Sequence, residues 1–371
     1  MSLLSRMTAP TARHDVAQLV AALLAEQPRP RAVPTGPTGL GTSAARVTPR
    51  REPSSDGVPE LYCPPALRDD PALGREVNDR LVDWAGEVGI YEGRLDHVRA
   101  ADFGRLMMLA HPDSDDPDRL LAAGKCALAE WATDDYYCDD GADPEQLGSH
   151  LGPAYAAIDP AHLPLRYAAA WQKEVREDPV RVALRSALEH LSRYAEPSQL
   201  ARLRHEVAVL FVAYGQEGSW RSRGHMPTVP EYLAHRQINS FLPCIALADA
   251  VGGYALTAAE YGDPRVRRAV TMAATAATLV NDLYSMTKEH GTSGVEFNLP
   301  TVIADRERCS PREGIERSAE VHDELVRTYE VEAAALALTG SPQLRRFLAG
   351  VWAWLGGNRA WHSGSPRYNS A

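Results

Sequence analysis

The sequence predicts an all-α fold in a single folded domain, and three observations carry the prediction. Ala, Leu, Arg and Glu, all good helix formers, recur throughout the chain. Alternating β-branched runs of the kind that mark strands are scarce. From about residue 58 onward, apolar residues return at helical spacing in segments punctuated by Pro and Gly.

Residues 1–57 stand apart from the rest. A short amphipathic patch of Val16, Leu19, Val20, Leu23 and Leu24 runs into Pro28, Pro30, Pro34 and Pro37, interleaved with Gly, Thr, Ser and Arg. So little apolar surface does not offset the entropy of ordering the chain, and a disordered Pro/Ala-rich tail is expected. Residues 58–371 form the domain. Within it, 73–88 reads as a helix with Val77, Leu81 and Trp84 on one face, and 117–137 as another carrying Leu120, Leu121, Cys126, Leu128 and Trp131. Further helices are expected at 165–174, 179–196, 198–218, 229–250, 257–261, 264–289, 298–305, 311–338 and 342–361. Several open with Pro in the first turn, where a missing N–H costs nothing. No internal repeat appears.

Composition narrows the function. The formal net charge of -10 argues against a phosphate-backbone binder, so no nucleic-acid partner is expected. No apolar run approaches the ~18 residues of a spanning helix, and the N-terminus lacks a secretory layout. Five scattered cysteines without metal-type spacing fit a reducing cytosol, so a cytoplasmic location is expected. An acidic protein can still bind a small anion through a few cations and metals.

Two clusters carry chemistry. The run Asn281-Asp282-Leu283-Tyr284-Ser285-Met286-Thr287-Lys288-Glu289 closes a very apolar stretch, 269–280. Asn281, Ser285 and Glu289 are spaced i, i+4, i+8 and share one helical stripe. An amide oxygen, a hydroxyl and a carboxylate are hard ligands of the kind Mg²⁺ takes, and Lys288 adds a point charge for a phosphate. Taken singly these are ordinary polar residues at a helix end; the nine-residue pattern is what points to a metal. The second cluster is Asp134-Asp135-Tyr136-Tyr137-Cys138-Asp139-Asp140. Asp135 and Asp139 lie one turn apart, with Asp134 rotated ~100° from Asp135. Four carboxylates at a helix C-terminus repel each other and the helix dipole, an arrangement that cations relieve. The alternative is a solvated acidic helix end leading to Gly141.

Together the two motifs resemble those of the class I terpene synthases, an aspartate-rich motif on one helix and an Asn/Ser/Glu triad on another. Arg236, ~45 residues before Asn281, sits where that family keeps a diphosphate-sensing arginine, and residues 232–240 resemble its helix-break segment. Asn358, Trp361 and the pair Arg367-Tyr368 resemble its C-terminal motif. The likeness runs from about residue 58 to 368. Leu61-Tyr62-Cys63-Pro64-Pro65, the 134–140 run and the Pro/Ala-rich leader look like the 2-methylisoborneol synthase subfamily.

The resemblance implies an α-helical bundle around an apolar cavity. It also implies three Mg²⁺ ions, with Asp134, Asp135 and Asp139 on one side and Asn281, Ser285 and Glu289 on the other. Arg236, Lys288, Arg367 and Tyr368 would bind the diphosphate of a small allylic substrate. Aromatic residues would face the carbocation; Trp131, Tyr137, Phe211, Phe241, Trp352 and Trp361 are the candidates, each better read alone as core packing except Trp361, whose offset from Arg367-Tyr368 is fixed. The subfamily implies 2-methylgeranyl diphosphate from a separate methyltransferase as substrate, 2-methylisoborneol as product, and a homodimer. A sister activity gives 2-methylenebornane, and other mono- and sesquiterpene cyclases share the motifs. A prenyl elongase would carry a second aspartate-rich motif where Asn281, Ser285 and Glu289 stand. A non-catalytic helical interaction or isoprenoid-binding protein would show no magnesium-dependent release of diphosphate.

Overall fold

An aspartate followed by proline starts helix after helix. Asp70 accepts the Ala72 and Leu73 amide N–H groups at the head of α1 (Pro71–Val88). Asp116 does the same for α4 (Pro117–Tyr137), and Asp178 for α7 (Pro179–Leu191). The carboxylate satisfies amides that have no partner inside the helix, and Pro occupies the turn where no N–H is needed. Between and after these run α2 (Leu95–Ala101), α3 (Phe103–Ala110), α5 (Leu147–Ile158), α6 (Leu165–Arg176) and α8 (Pro197–Arg223). The chain continues through α9 (Val229–Arg236), α10 (Leu242–Ile245), α11 (Ala248–Gly252), α12 (Ala258–Gly262) and α13 (Pro264–Lys288). It ends in α14 (Leu299–Glu307), α15 (Pro311–Thr339) and α16 (Pro342–Gly364). The computed structural model describes residues 58–138, 146–288 and 297–364, and no strand occurs among them. The expected N-terminal tail lies outside the described residues.

Three departures from the expected elements have local causes. The segment 229–250, expected as one helix, is broken into α9, α10 and the start of α11. The α9 helix ends at Arg236, and residues 237–241 turn before Pro243 enters α10. Helices α2 and α3 were not expected, because a left-handed Asp102 (φ 53) splits 95–110 into two short pieces. Helix α5 carries Pro153 in its interior, which hid it from a reading based on propensity.

Packing places α13 at the centre. It runs against α15 along one side and α16 along another, while α3 bridges from α16 to α1 and α4. The short α10 touches α4, α8 and α13, so the break wedges between the helices that hold the two oxygen-rich clusters. Along α13, Ala269, Val270, Ala273, Ala274, Ala276, Ala277 and Val280 are all buried, which lets neighbouring helices approach its axis closely. The α3–α16 contact is equally tight: a Cβ on Gly357 would sit 2.5 Å from the Leu109 carbonyl carbon. Gly357→Ala should therefore cost about 1–3 kcal/mol through overpacking, read as a lower thermal midpoint. Among the described residues no helix is long and apolar enough to cross a membrane.

Candidate active site

The C-terminal ends of α4 and α13 meet one aromatic assembly, through Trp131 on α4 and through Asn281 and Tyr284 on α13. Trp131, one turn before Asp135, meets Trp361 at 6.2 Å between ring centroids, and both contact Phe103. Trp361 lies against His362 at 4.7 Å, and the His362 Nε2 is 3.5 Å from the Asn281 amide nitrogen. Phe241, just before α10, packs on Trp354 and His362, and Tyr284 reaches His362 from α13. An unbroken line of rings thus joins the acidic helix end to the Asn/Ser helix end.

Each ring is held by something behind it. The Trp361 indole N–H donates to the Ala101 and Asp102 carbonyls at the α2–α3 corner, 2.9 and 3.0 Å away. The Asn358 carbonyl, 2.9 Å from His362 Nδ1, can only accept, so Nδ1 carries the imidazole proton and Nε2 presents a lone pair. The Asn281 amide N–H₂ turns toward that lone pair, which directs its carbonyl oxygen away from His362. Asn358 itself donates from Nδ2 to the Ala277 carbonyl, one turn before Asn281.

The two aspartates are treated differently. Asp135 Oδ2 accepts the Tyr91 hydroxyl at 2.6 Å. Tyr91 in turn has left-handed backbone (φ 56), and its N–H donates to the Tyr136 hydroxyl. A bulky residue in that region stores strain, which its bonds to Tyr136 and Asp135 offset. Asp134 lies near Tyr214 on α8; burial first, and the Asp134 charge second, push the Tyr214 hydroxyl far above its usual range. Arg221 of α8 donates to the Cys138 carbonyl, capping the acidic helix end with a cation.

Arg236 is largely enclosed, its side chain 12% exposed. Its Nε donates to the Tyr232 hydroxyl at 2.8 Å, Nη1 to the Asn239 carbonyl at 3.4 Å, and Nη2 to Asp282 Oδ1. Asp282 Oδ2 accepts the Leu299 N–H at 2.9 Å and lies 2.8 Å from the Tyr232 hydroxyl, which is also 2.9 Å from the Phe297 carbonyl. Burial works most strongly against the guanidinium charge, yet the charges of Asp282, Tyr232 and Glu217 and the Asp282 hydrogen bond together outweigh it and hold the Arg236 pKa above its ordinary value. The network ties α9, α13 and the start of α14 together beside Asn281.

The structure gathers Trp131, Phe241 and Trp361 but sets other expected pocket residues apart. Trp352 stacks on Tyr329 of α15, half a helical turn round α16 from Trp361; nine residues at ~100° each put it on the opposite face. Trp354 occupies the inward place that the reading gave to Trp352. Tyr137 turns away as well, stacking on His150 and donating to the Asp178 carboxylate. Phe211 stacks on Tyr214, whose hydroxyl reaches the Glu130 carbonyl at 3.5 Å. The α13 helix reaches Lys288, whose side chain is not described; Asp139, Glu289, Arg367 and Tyr368 lie outside the described residues. Phe103, Trp354, His362, Asp282 and Glu130 were not singled out. Trp354 was within reach, lying seven residues before Trp361 on the same helical stripe, whereas Phe103 lay in an unexpected helix.

Magnesium fits this donor set. Among the described residues no three His, Cys, Asp or Glu side chains converge on one point. The donors at hand are carboxylate, amide and hydroxyl oxygens, hard ligands that leave room for phosphate oxygens and water. Glu130, one turn before Asp134, is a buried acid whose pKa is pushed from 4.5 up to about 8 by loss of solvent, a rise partly opposed by the Cys244 thiol. Between those values the folded protein keeps a proton that the unfolded chain has lost, so stability should fall as pH rises through that window. Glu130→Gln should remove a pH slope of a few kcal/mol, and chemical denaturation at about pH 5 and about pH 8 measures it.

Comparisons with known proteins converge on one family. The family described as Terpene synthase family 2, C-terminal metal binding, matches residues 125–328. The 2-methylisoborneol synthase of Streptomyces ambofaciens is 42% identical over 347 residues, covering 88% of this chain and 78% of the relative. That of Saccharopolyspora erythraea is 39% identical over 316 residues, covering 84% and 89%. The crystal structure of the Streptomyces coelicolor 2-methylisoborneol synthase, in complex with Mg²⁺ and 2-fluoroneryl diphosphate, superposes with a TM-score of 0.80 at 42% identity. It spans 83% of this chain and 96% of that one. With the ring-lined junction of α4 and α13 and the all-helical architecture, these matches place the chain in terpene synthase family 2, as a magnesium-dependent cyclase of the class I fold.

Proposed function

We propose that the protein is a 2-methylisoborneol synthase, ionising 2-methylgeranyl diphosphate, cyclising the cation and capturing it with water. The observation that carries this reading is the aromatic line from Trp131 through Trp361 to His362 and Asn281, which runs between the two helix ends we assign to the metal ions. Relatives that carry this activity at about 42% identity over most of the chain support it.

Asp134, Asp135 and Asp139 from α4 and the segment after it, with Asn281, Ser285 and Glu289 from α13 and just beyond, are the oxygens we assign to three magnesium ions. Bound there, magnesium would supply the positive charge that offsets the charge growing on the departing diphosphate. The fixed imidazole of His362 keeps the Asn281 carbonyl oxygen pointed outward. Asp282 and Tyr232 hold Arg236 rigid, with N–H donors beyond its three protein bonds left for phosphate oxygens. Lys288, Arg367 and Tyr368 complete the diphosphate contacts. Trp131 and Phe241 offer ring faces to the cation, backed by the buried rings of Phe103, Trp354 and Trp361, with no strong nucleophile to trap it early. A methylated C10 substrate requires a separate methyltransferase upstream, and we assign the protein to the cytoplasm as a homodimer.

The test is incubation with Mg²⁺ and, separately, geranyl, 2-methylgeranyl, farnesyl and geranylgeranyl diphosphates, with products identified by mass spectrometry. The methylated C10 substrate should turn over best and give a bicyclic alcohol. Preference for farnesyl diphosphate would reject the assignment within the family.

A further inference from the structure

The turn between α1 and α2 carries strain, and the strain falls on one tyrosine. Within five residues the backbone is left-handed three times, at Gly89 (φ 83), Tyr91 (φ 56) and Gly93 (φ 73). The two glycines adopt that region freely, whereas the Cβ of Tyr91 disfavours it. Its neighbours hold it there. Ile90 is fully buried, with its N–H donating to the Ala85 carbonyl at 3.1 Å, and the Arg94 N–H returns to the Tyr91 carbonyl at 2.8 Å. Held this way, Tyr91 is 6% exposed and its ring meets the Tyr136 ring edge-on at 5.7 Å. Its hydroxyl donates to Asp135 Oδ2 at 2.6 Å, while its N–H donates to the Tyr136 hydroxyl at 2.7 Å. Two bonds from one strained residue thus grip two consecutive residues at the C-terminal end of α4, where the helix dipole disfavours a carboxylate.

We infer that Tyr91 is a positioning residue for the metal site, holding the Asp135 carboxylate in one orientation ready for Mg²⁺. The inference rests on Asp135 being one of the magnesium ligands assigned above. An aspartate side chain turns about two torsions, and both are frozen when an ion of strict geometry binds. A donor already seated on Oδ2 freezes them beforehand, so that entropy is lost in folding rather than in binding. The hydroxyl takes one lone pair of Oδ2 and leaves acceptor capacity on both oxygens. A neutral donor suits this place, because a lysine or arginine there would offset the carboxylate charge that draws the cation. Strained backbone persists where the surrounding structure over-determines it, and such residues gather at ligand sites. The strained turn at 89–93 and the bond to Asp135 belong together in this reading: the turn delivers the hydroxyl, and the hydroxyl fixes the carboxylate.

The readout is binding rather than turnover. Melting temperature is followed against Mg²⁺ concentration in the presence of inorganic pyrophosphate, and the concentration giving half of the rise is compared between variants. Tyr91→Phe keeps the ring and removes only the O–H. It should raise that concentration at least ~10-fold, as loss of a partner behind a metal ligand does. Its metal-free melt should stay within about 5 °C of the parent, the loss of one hydrogen bond. Turnover at saturating Mg²⁺ should stay within ~3-fold, since the ligand itself remains. Tyr136→Phe withdraws the acceptor of the Tyr91 N–H and should raise the half-point ~3-fold without touching Tyr91. Asp135→Ala should raise it at least as far as Tyr91→Phe does, and adding Tyr91→Phe to Asp135→Ala should change it by less than ~2-fold. If Asp135→Ala raises the half-point but Tyr91→Phe leaves it within ~2-fold of the parent, the inference is overturned and the ligand assignment stands. A Tyr91→Phe shift that is equally large in the Asp135→Ala background also overturns it, because the tyrosine then acts through the fold. If Asp135→Ala itself responds to Mg²⁺ as the parent does, the ligand assignment falls first and takes the inference with it.

Discussion

Asn281→Leu should leave a folded protein that releases diphosphate at least ~10³-fold more slowly than the parent at saturating Mg²⁺. The side chains share the same branched four-heavy-atom shape and the site is only half-buried, so the bulkier Leu can be accommodated. What disappears is the oxygen we assign to a metal ion, already oriented by the contact between its amide nitrogen and His362. A pyrophosphate-release assay with and without Mg²⁺, beside a thermal melt of the metal-free protein, separates the two effects. Near-parent release from the variant would remove Asn281 from the metal site. A melt lowered as much as the rate would make its role structural.

Asp282→Asn should be the most destabilising single change near the site, costing about 3–5 kcal/mol. Asp282 has no exposed side-chain surface, and Arg236 is 12% exposed, so removing the carboxylate leaves a buried guanidinium without its counter-charge. The same change weakens the acceptor for the Leu299 N–H and disturbs the Tyr232 hydroxyl, loosening the two segments that flank residues 289–296. Replacing the pair together, Asp282→Leu with Arg236→Met, should recover much of the lost stability, since an apolar pair of similar volume avoids both desolvation penalties. Activity should not return with it, because Arg236 is also assigned to the diphosphate. Denaturant melts of the three variants, beside pyrophosphate release, decide the matter. A double variant that regains activity would confine Arg236 to a structural role.

Much of the architecture is legible in the chain because its signals are local. The Asp-Pro pairs at 70–71, 116–117 and 178–179 mark helix starts that the structure confirms to within a residue or two. The run from Asn281 to Glu289 puts Asn281, Ser285 and Glu289 on one helical stripe by periodicity alone. Where the signal was weak, so was the reading. Helix α5 hides behind an internal Pro153, and α2 and α3 are each eight residues or fewer, too short to show a period. The pocket aromatics were the least legible. Trp352 and Trp354 differ by two residues and ~200° of helix rotation, and composition does not say which face α16 turns inward.

Sequence by itself determined the helical class, the metal-type oxygen donors and the family motifs, since each depends on residues within a few turns of one another. Only the tertiary structure decided that Arg236 answers to Asp282, that His362 orients Asn281, and that Trp354 rather than Trp352 joins the aromatic wall. Those relations join residues far apart in the chain. They are fixed by how α4, α9, α13 and α16 pack, a choice made by burial over the whole core rather than by any short stretch of residues.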